Sequence, residues 1–437
     1  MRGAGTVRRG PRQRSSHAGL MHDASRDRTP SSPSRVARLD AIVVPTARPA
    51  SSLQHAIRLS ADLGVPLLAL CSRQAHAEQV VARIRAAGSR GLAVGVPKGY
   101  VIEQAPTHTA AAAFRTASFG RRTDLSVKRN LGLLVARMRG WRKVLFLDDD
   151  IVGVRTDDIE RLERQLDHHP VAGMVCDDFP DNSVVCHARR QAGLYQGNFV
   201  SGAALGVNCA DNPLCFFPDV YNEDWFFFAS AAADRTLPMV GRARQAEYDP
   251  FADPVRARHE EFGDLLAEGL YALFEEQPDR TLEQHVDAAD EAYWARFIES
   301  RKDTIESTVA LLHAKLEAEV VRALAVHAAV TSLGEARAQL ALILPAQCAD
   351  FLHAWLGDLR EWGSSTAGVN TVPSDSVISG ELALPDWHSI GMEPPRPGTG
   401  QLLASGATPI HRRRRSSTRP EPSSCLTSPV LSKPSRS

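Results

Sequence analysis

Short apolar runs alternate with amphipathic stretches from residue 39 onward. Ile42–Val44 reads as a buried strand ended by Pro45, and Val65–Cys71 and Leu92–Val96 follow as two more. Between them, Ser51–Leu63 and Val80–Ala87 carry apolar residues at helical spacing, with Gly64 and Gly88 as stops. Strand, helix, strand, helix, strand predicts βαβ units and a parallel sheet. Thr107–Arg122 is polar and Ala-rich and reads as a mobile loop. Asp124–Met138 places Val127, Leu131, Leu134, Val135 and Met138 on one helical face, with Asp124 or Ser126 as cap. Val144–Leu147 is the next strand, and it stops abruptly in Asp148, Asp149 and Asp150.

Beyond that point Thr156–Leu166 is an amphipathic helix capped by Thr156. Ala172–Cys176 and Val184–His187 read as strands, and Tyr195–Asn208 is a small-residue segment suited to close backbone approach. Glu223 and Asp224 precede an aromatic run, Trp225–Phe228. His259 begins a helix running towards Phe274, and the pattern from Thr281 to about Leu359 is helical. Residues 1–38 and 363–437 are poor in large apolar side chains and rich in Ser, Arg, Pro and Gly, so both read as disordered tails. Met21 is an alternative start, and Arg412–Arg415 is a basic cluster in the second tail.

Composition narrows the chemistry. The 437 residues carry 51 basic and 51 acidic side chains, so no global field favours nucleic acid or an anionic membrane. The seven cysteines are scattered without a Cys-x-x-Cys pair, which argues against a zinc site or a disulfide framework and leads us to expect a cytoplasmic protein. No apolar run approaches the roughly 18–20 residues of a membrane span. Neither a Gly-x-Gly-x-x-Gly nor a P-loop follows a strand. The carboxylate run is then the strongest chemical signal. Ligands bind outside the carboxyl ends of strands in open α/β sheets. On an extended chain Asp148 and Asp150 face one side and Asp149 the other. Two hard oxygens on one side suit Mg²⁺ or Mn²⁺ carrying a phosphate. Lys128, Arg129 and Asn130 fall in the first turn of the preceding helix, where cations oppose the helix dipole and imply an anion nearby.

Five motifs stand in order: Val43-Val-Pro-Thr46, Lys128-Arg-Asn-Leu-Gly132, Val144-Leu-Phe-Leu-Asp-Asp-Asp-Ile151, Ser201-Gly-Ala203 and Asn222-Glu-Asp-Trp225. Together, over residues 39–270, they resemble nucleotide-sugar-dependent glycosyltransferases of the GT-A fold, family-2-type members in particular. The resemblance implies an α/β, three-layer αβα sandwich with a mostly parallel central sheet. It divides the chain into a tail (1–38), a transferase domain (39–275), an α-helical C-terminal region (276–362) and a second tail (363–437). It implies transfer of a sugar from a nucleotide-sugar donor to an acceptor hydroxyl, with inversion and with Mn²⁺ or Mg²⁺ as cofactor. By that likeness Asp150 and Asp148 hold the metal, with His259 as a further ligand. Pro45, Thr46 and Arg48 lie near the nucleobase. Lys128, Arg129, Asn130, Asp148, Asp149, Ser201 and Gly202 contact the donor. Asp224 is the general base, and Glu223 orients the acceptor.

The chain departs from that pattern in several places, among them the third-strand region where Lys98 and Glu103 sit. No acidic residue follows strand two near Cys71, and no Gln-x-x-Arg-Trp motif is present, which disfavours processive polysaccharide synthases. Two rival readings follow from the same residues. Asp148-x-Asp150-x-Val152 also fits haloacid-dehalogenase-like phosphatases, with Asp148 as nucleophile and Asp150 as acid/base. A GT-A-like protein that binds without catalysing is the other.

Overall fold

The computed structural model describes residues 11–27, 38–180, 183–210, 214–317 and 323–396. Among the described residues ten strands form one mixed sheet: β1 (Met21–Asp23), β2 (Ala41–Thr46), β3 (Leu67–Cys71), β4 (Gly91–Gly95), β5 (Lys143–Leu147), β6 (Ile151–Val154), β7 (Val171–Cys176), β8 (Val200–Asn208), β9 (Leu237–Gln245) and β10 (Trp387–Ile390). Their order across the sheet is β1-β9-β7-β8-β5-β2-β3-β4-β10, with β6 paired to β9. The block β5-β2-β3-β4 is parallel, as are β7-β9 and β1-β9, whereas β8 runs antiparallel between β5 and β7. The architecture is therefore the expected α/β one, a large mostly parallel sheet with a helical C-terminal region.

The two-residue period of the strands explains the layering. Val43, Leu68, Leu70, Val144 and Phe146 point into one core, which the helix Leu125–Met138 and the C-terminal helices cover. Ile42, Val44, Leu67, Ala69, Leu145 and Leu147 point into the other, against Ile57, Val80, Ile159 and Leu162 of three helices. Gly132 lets Leu125–Met138 lie close on the sheet, since a Cβ there would come within 2.8 Å of Val43 Cγ1 and 3.0 Å of Phe146. That approach fixes where the first turn of the helix meets the strand ends.

Several local expectations are corrected. Strand β2 continues through Pro45 to Thr46. Ile42 N bonds towards β3, so residues 43 and 45 face β5, whose pairing stops at Val43, and the missing N–H of Pro45 interrupts no ladder. Residues 107–122 hold the short helices His108–Ala110 and Ala112–Ala117, anchored by the bonds of Asp358 to the His108 and Thr109 amides and by the buried Phe114. Thr156 is the first helical residue rather than the cap. Val184–His187 belongs to a helix, Val184–Gln191, whose N-cap Ser183 accepts from the Cys186 amide.

Inside that last helix His187 is buried against Phe179 and Tyr248. Burial first, then Arg190 and Arg256, push its pKa down to about 4. The folded state therefore resists protonating a group that the unfolded chain protonates near its ordinary value. Stability is full above about pH 6.5 and falls as pH drops towards 4. Urea unfolding should show a loss of up to ~3 kcal/mol across that window that His187→Gln removes.

The tails are shorter than composition suggests. Leu20 and His17 are buried, and Met21–Asp23 pairs in parallel with Leu237–Met239. His17 Nε2 lies 3.2 Å from Glu268 Oε2, and its ring sits among Phe199, Trp225 and Tyr271. A chain begun at Met21 loses the buried Leu20 and the contacts of His17, and its melting temperature should fall by on the order of 5 °C in a thermal scan. At the other end the helices Pro345–Ala367 and Asp375–Glu381 are followed by β10, which pairs antiparallel with β4 and covers the sheet edge. The basic cluster Arg412–Arg415 lies outside the described residues. The helix Arg256–Glu276, which ends at the expected boundary, is buried along most of its length. Among the described residues no single helix is long and apolar enough to cross a membrane. Ala323–Leu340 and Pro345–Ala367 meet those criteria only as a pair bent by 82°.

Candidate active site

The carboxyl ends of β2, β3 and β5 and the start of the antiparallel β8 meet along one edge of the sheet. Asp148 N bonds Ala203 O at 2.9 Å, which continues the β5–β8 ladder one step and brings Asp148 beside Ser201 and Gly202. Here the chain turns, with Ile151 N bonding back to Asp148 O at 3.1 Å. A turn breaks the alternation of an extended strand, so the three carboxylates diverge. Asp148 faces Arg129, whose Nη2 lies 2.9 and 3.1 Å from its two oxygens. Asp149 folds back onto the end of β2, accepting from Thr46 Oγ1 at 2.7 Å, Ala47 N at 3.3 Å and Arg48 Nη1 at 2.7 Å. Asp150 accepts from Arg48 Nη2 and Gln245 Nε2, both at 3.1 Å.

Arg129 is the hub. It is almost fully buried, and its Nη1 reaches Glu223 Oε1 at 2.6 Å while Nη2 holds Asp148. Burial alone would lower its pKa, but Asp148, Glu223 and Asp224 hold it well above the ordinary value. Gly202 makes room for it, since a Cβ there would overlap the guanidinium. Asp224 Oδ2 accepts from the Gly202 amide at 2.5 Å and Oδ1 from the Trp225 amide at 3.0 Å. One guanidinium and one glycine thus join the end of β5, the start of β8 and the short helix Glu223–Phe227.

That helix is aimed by its own anchor. Asn222 adopts φ 61°, a left-handed conformation that Asn tolerates better than most residues. Its Nδ2 donates to Asp264 Oδ1 at 3.1 Å, and Asp264 Oδ2 is held by Ser183 Oγ at 2.8 Å and Arg301 Nη2 at 2.6 Å. Gly263 packs directly under the Tyr221 carbonyl, where a Cβ would clash.

Around these groups lies an open cleft of about 120 Å³ lined by Arg121, Arg129, Asp148, Ser201, Tyr221, Asn222, Glu223, Asp224 and Trp225. It brings together Arg129, Asp148, Ser201, Glu223 and Asp224 from the sequence reading, with Gly202 behind them. Other candidates are placed differently. Lys128 uses its ammonium on Thr46 O (2.7 Å), Ser72 Oγ (2.7 Å) and Asp124 (3.1 Å), which accounts for its three donors and makes it a buried strut. Burial lowers its pKa against the pull of Asp124. Asn130 exchanges two bonds with the Phe217 backbone, at 2.9 and 3.0 Å, and clamps the loop before the cleft. The anion implied by this cationic first turn is supplied by the protein itself, as Asp124, Asp148 and Glu223. Glu223 serves the Arg129 bridge, with Arg121 3.9 Å from its second oxygen. Pro45 and Thr46 are buried, which leaves Arg48 as the exposed member of that trio. His259 stands beside the Phe119 ring at 5.3 Å and is absent from the cleft lining. Among the described residues no group of three or more His, Cys, Asp or Glu could hold a metal, so the trio Asp148, Asp150 and His259 is not assembled.

The donor set still fits a hard divalent ion of a particular kind. Magnesium-type sites use one or two carboxylates, with substrate phosphates and water completing the shell. Asp148 and Asp150 both keep exposed carboxylate surface. Gln245, buried beside Asp150, has an Oε1 with no hydrogen-bond partner. Charge points the same way. Arg48, Arg121 and Arg129 stand against Asp148, Asp149, Asp150, Glu223 and Asp224, so an anionic diphosphate needs an added cation to enter. Sequence reasoning missed Arg121, Gln245, Asp264 and Arg301. The first two carry no motif, and the last two lie far along the chain among ordinary helical residues.

No protein-family model matches the chain, and no curated protein matches it in sequence. Among solved structures it is similar to a mannosyltransferase from Pyrobaculum calidifontis in complex with GDP-Man and Mn²⁺. The identity is 14% and the TM-score 0.35, over 76% of this chain and 90% of that one. A likeness at that level carries no argument about substrate or mechanism, which rest on the cleft.

Proposed function

We propose that this cleft binds a nucleotide-sugar donor with Mn²⁺ or Mg²⁺ and transfers the sugar to an acceptor hydroxyl with inversion. The observation that carries the reading is the placement of Asp148, at the end of β5, and Asp224 on the lining of one cleft, joined beneath by Arg129. Asp148 and Asp150 are the residues to hold the ion, whose chemistry is to stabilise negative charge on a departing diphosphate.

The protein's own groups supply the rest. Asp224 takes the proton of the acceptor hydroxyl while that oxygen forms its bond to the anomeric carbon. The bond from that carbon to the diphosphate oxygen breaks on the opposite face, and the electron pair leaves with the nucleoside diphosphate. The Gly202 and Trp225 amides fix the Asp224 carboxylate in place. Trp225 and Tyr221 provide apolar wall for the acceptor side. A thermal-shift screen of sugar nucleotides tests the reading, because a ligand that binds only the folded state raises its melting temperature. One of them should do so with Mn²⁺ and fail to do so with EDTA. Asp150→Ala should lose the shift, and a normal shift in that variant would refute the site assignment.

A further inference from the structure

Arg48 follows β2 and is half exposed, yet its guanidinium forks two adjacent carboxylates, Asp149 Oδ1 at 2.7 Å and Asp150 Oδ2 at 3.1 Å. The two partners are not equivalent. Asp149 is also held by Thr46 Oγ1 and the Ala47 amide, so it keeps its place if Arg48 leaves. Asp150 has Gln245 Nε2 as its other donor, and the Gln245 Oε1 beside it is buried without a partner. The weak side of the fork is therefore the oxygen best placed to meet a competing cation. A guanidinium and a divalent ion on one carboxylate oxygen repel each other, so the two compete for it. A guanidinium freed from a carboxylate also matches phosphate geometry, two parallel N–H donors to two oxygens.

We infer that Arg48 is the resident cation of the Asp149–Asp150 pair, that a divalent ion binds by displacing it from Asp150, and that the released guanidinium pairs with the donor's diphosphate. This rests on the nucleotide-sugar reading above. It gives Arg48 two opposite effects: it weakens binding of the bare ion and strengthens binding of the nucleotide once the ion is present.

Electron paramagnetic resonance of Mn²⁺ separates these effects, since the free ion gives the signal and the bound ion does not. With MnCl₂ alone, Arg48→Gln should bind Mn²⁺ more tightly by on the order of tenfold. In saturating Mn²⁺, the same variant should bind UDP or GDP more weakly than the wild type by a similar factor. Arg48→Lys keeps the charge and should return Mn²⁺ affinity towards the wild-type value. A melting temperature for Arg48→Gln within a few degrees of wild type shows that the fold is intact, as expected for a half-exposed side chain. If the wild type binds Mn²⁺ with UDP or GDP but Arg48→Gln binds Mn²⁺ no more tightly, the role of Arg48 is overturned alone. If no form binds Mn²⁺, UDP or GDP, the nucleotide-sugar reading falls with it.

Discussion

Asp224→Asn should leave donor affinity unchanged and lower sugar transfer by about 10²–10⁴-fold, the usual contribution of a positioned general base. The amide keeps the shape of the carboxylate and retains one oxygen to accept from the Gly202 or Trp225 amide, but it cannot take a proton. Asp224 is not among the residues assigned to the ion, so nucleotide binding in Mn²⁺ should not change. Calorimetry of nucleoside diphosphate binding and steady-state kinetics of transfer separate the two quantities. A variant that keeps kcat within a few-fold of wild type would remove Asp224 from the role of base.

Arg129→Ala should destabilise the fold by about 3–5 kcal/mol, because it leaves buried carboxylates without their counter-charge. Asp148, Glu223 and Asp224 all lean on this one guanidinium. Arg129→Lys should rescue little, since a single ammonium cannot reproduce contacts made by two separate nitrogens. Gly202→Ala should resemble the arginine loss in part, as its methyl group takes the space the guanidinium fills. Urea unfolding of the three variants reads these effects. A stable, cooperatively folding Arg129→Ala protein would mean that the cleft does not depend on the bridge.

The strand order weighs against the phosphatase reading, since three strands, β2, β3 and β4, precede β5 within its parallel block.

How much of this was legible in the chain depends on the range of the forces involved. Strands β2 to β5 were readable because burial on both faces demands unbroken apolar runs, and those runs end where the sheet meets solvent. The site edge followed from the same rule. The direction of Asp149 was not readable, because alternation holds only while the chain stays extended and Ile151 closes a turn. Val184–His187 has the β-branched start of a strand, yet Ser183 and its bond to Asp264, 81 residues on, start a helix there. Lys128 and Asn130 sit beside Arg129 in sequence and share its helix, but a 100° step per residue sends each to a different neighbour. Residues 11–27 fail the composition test for order and are held by distant partners, Glu268 and β9, that composition cannot see. In the helix after Ser183 and in residues 11–27 a local rule gave way to a long-range contact.

The most direct test of the central claim is release of nucleoside diphosphate from a panel of sugar nucleotides incubated with the protein in Mn²⁺. Release from one of them is expected, abolished by EDTA, lost in Asp150→Ala and greatly slowed in Asp224→Asn. Absence of release from every sugar nucleotide, with inorganic phosphate freed from a phosphomonoester instead, would contradict the account.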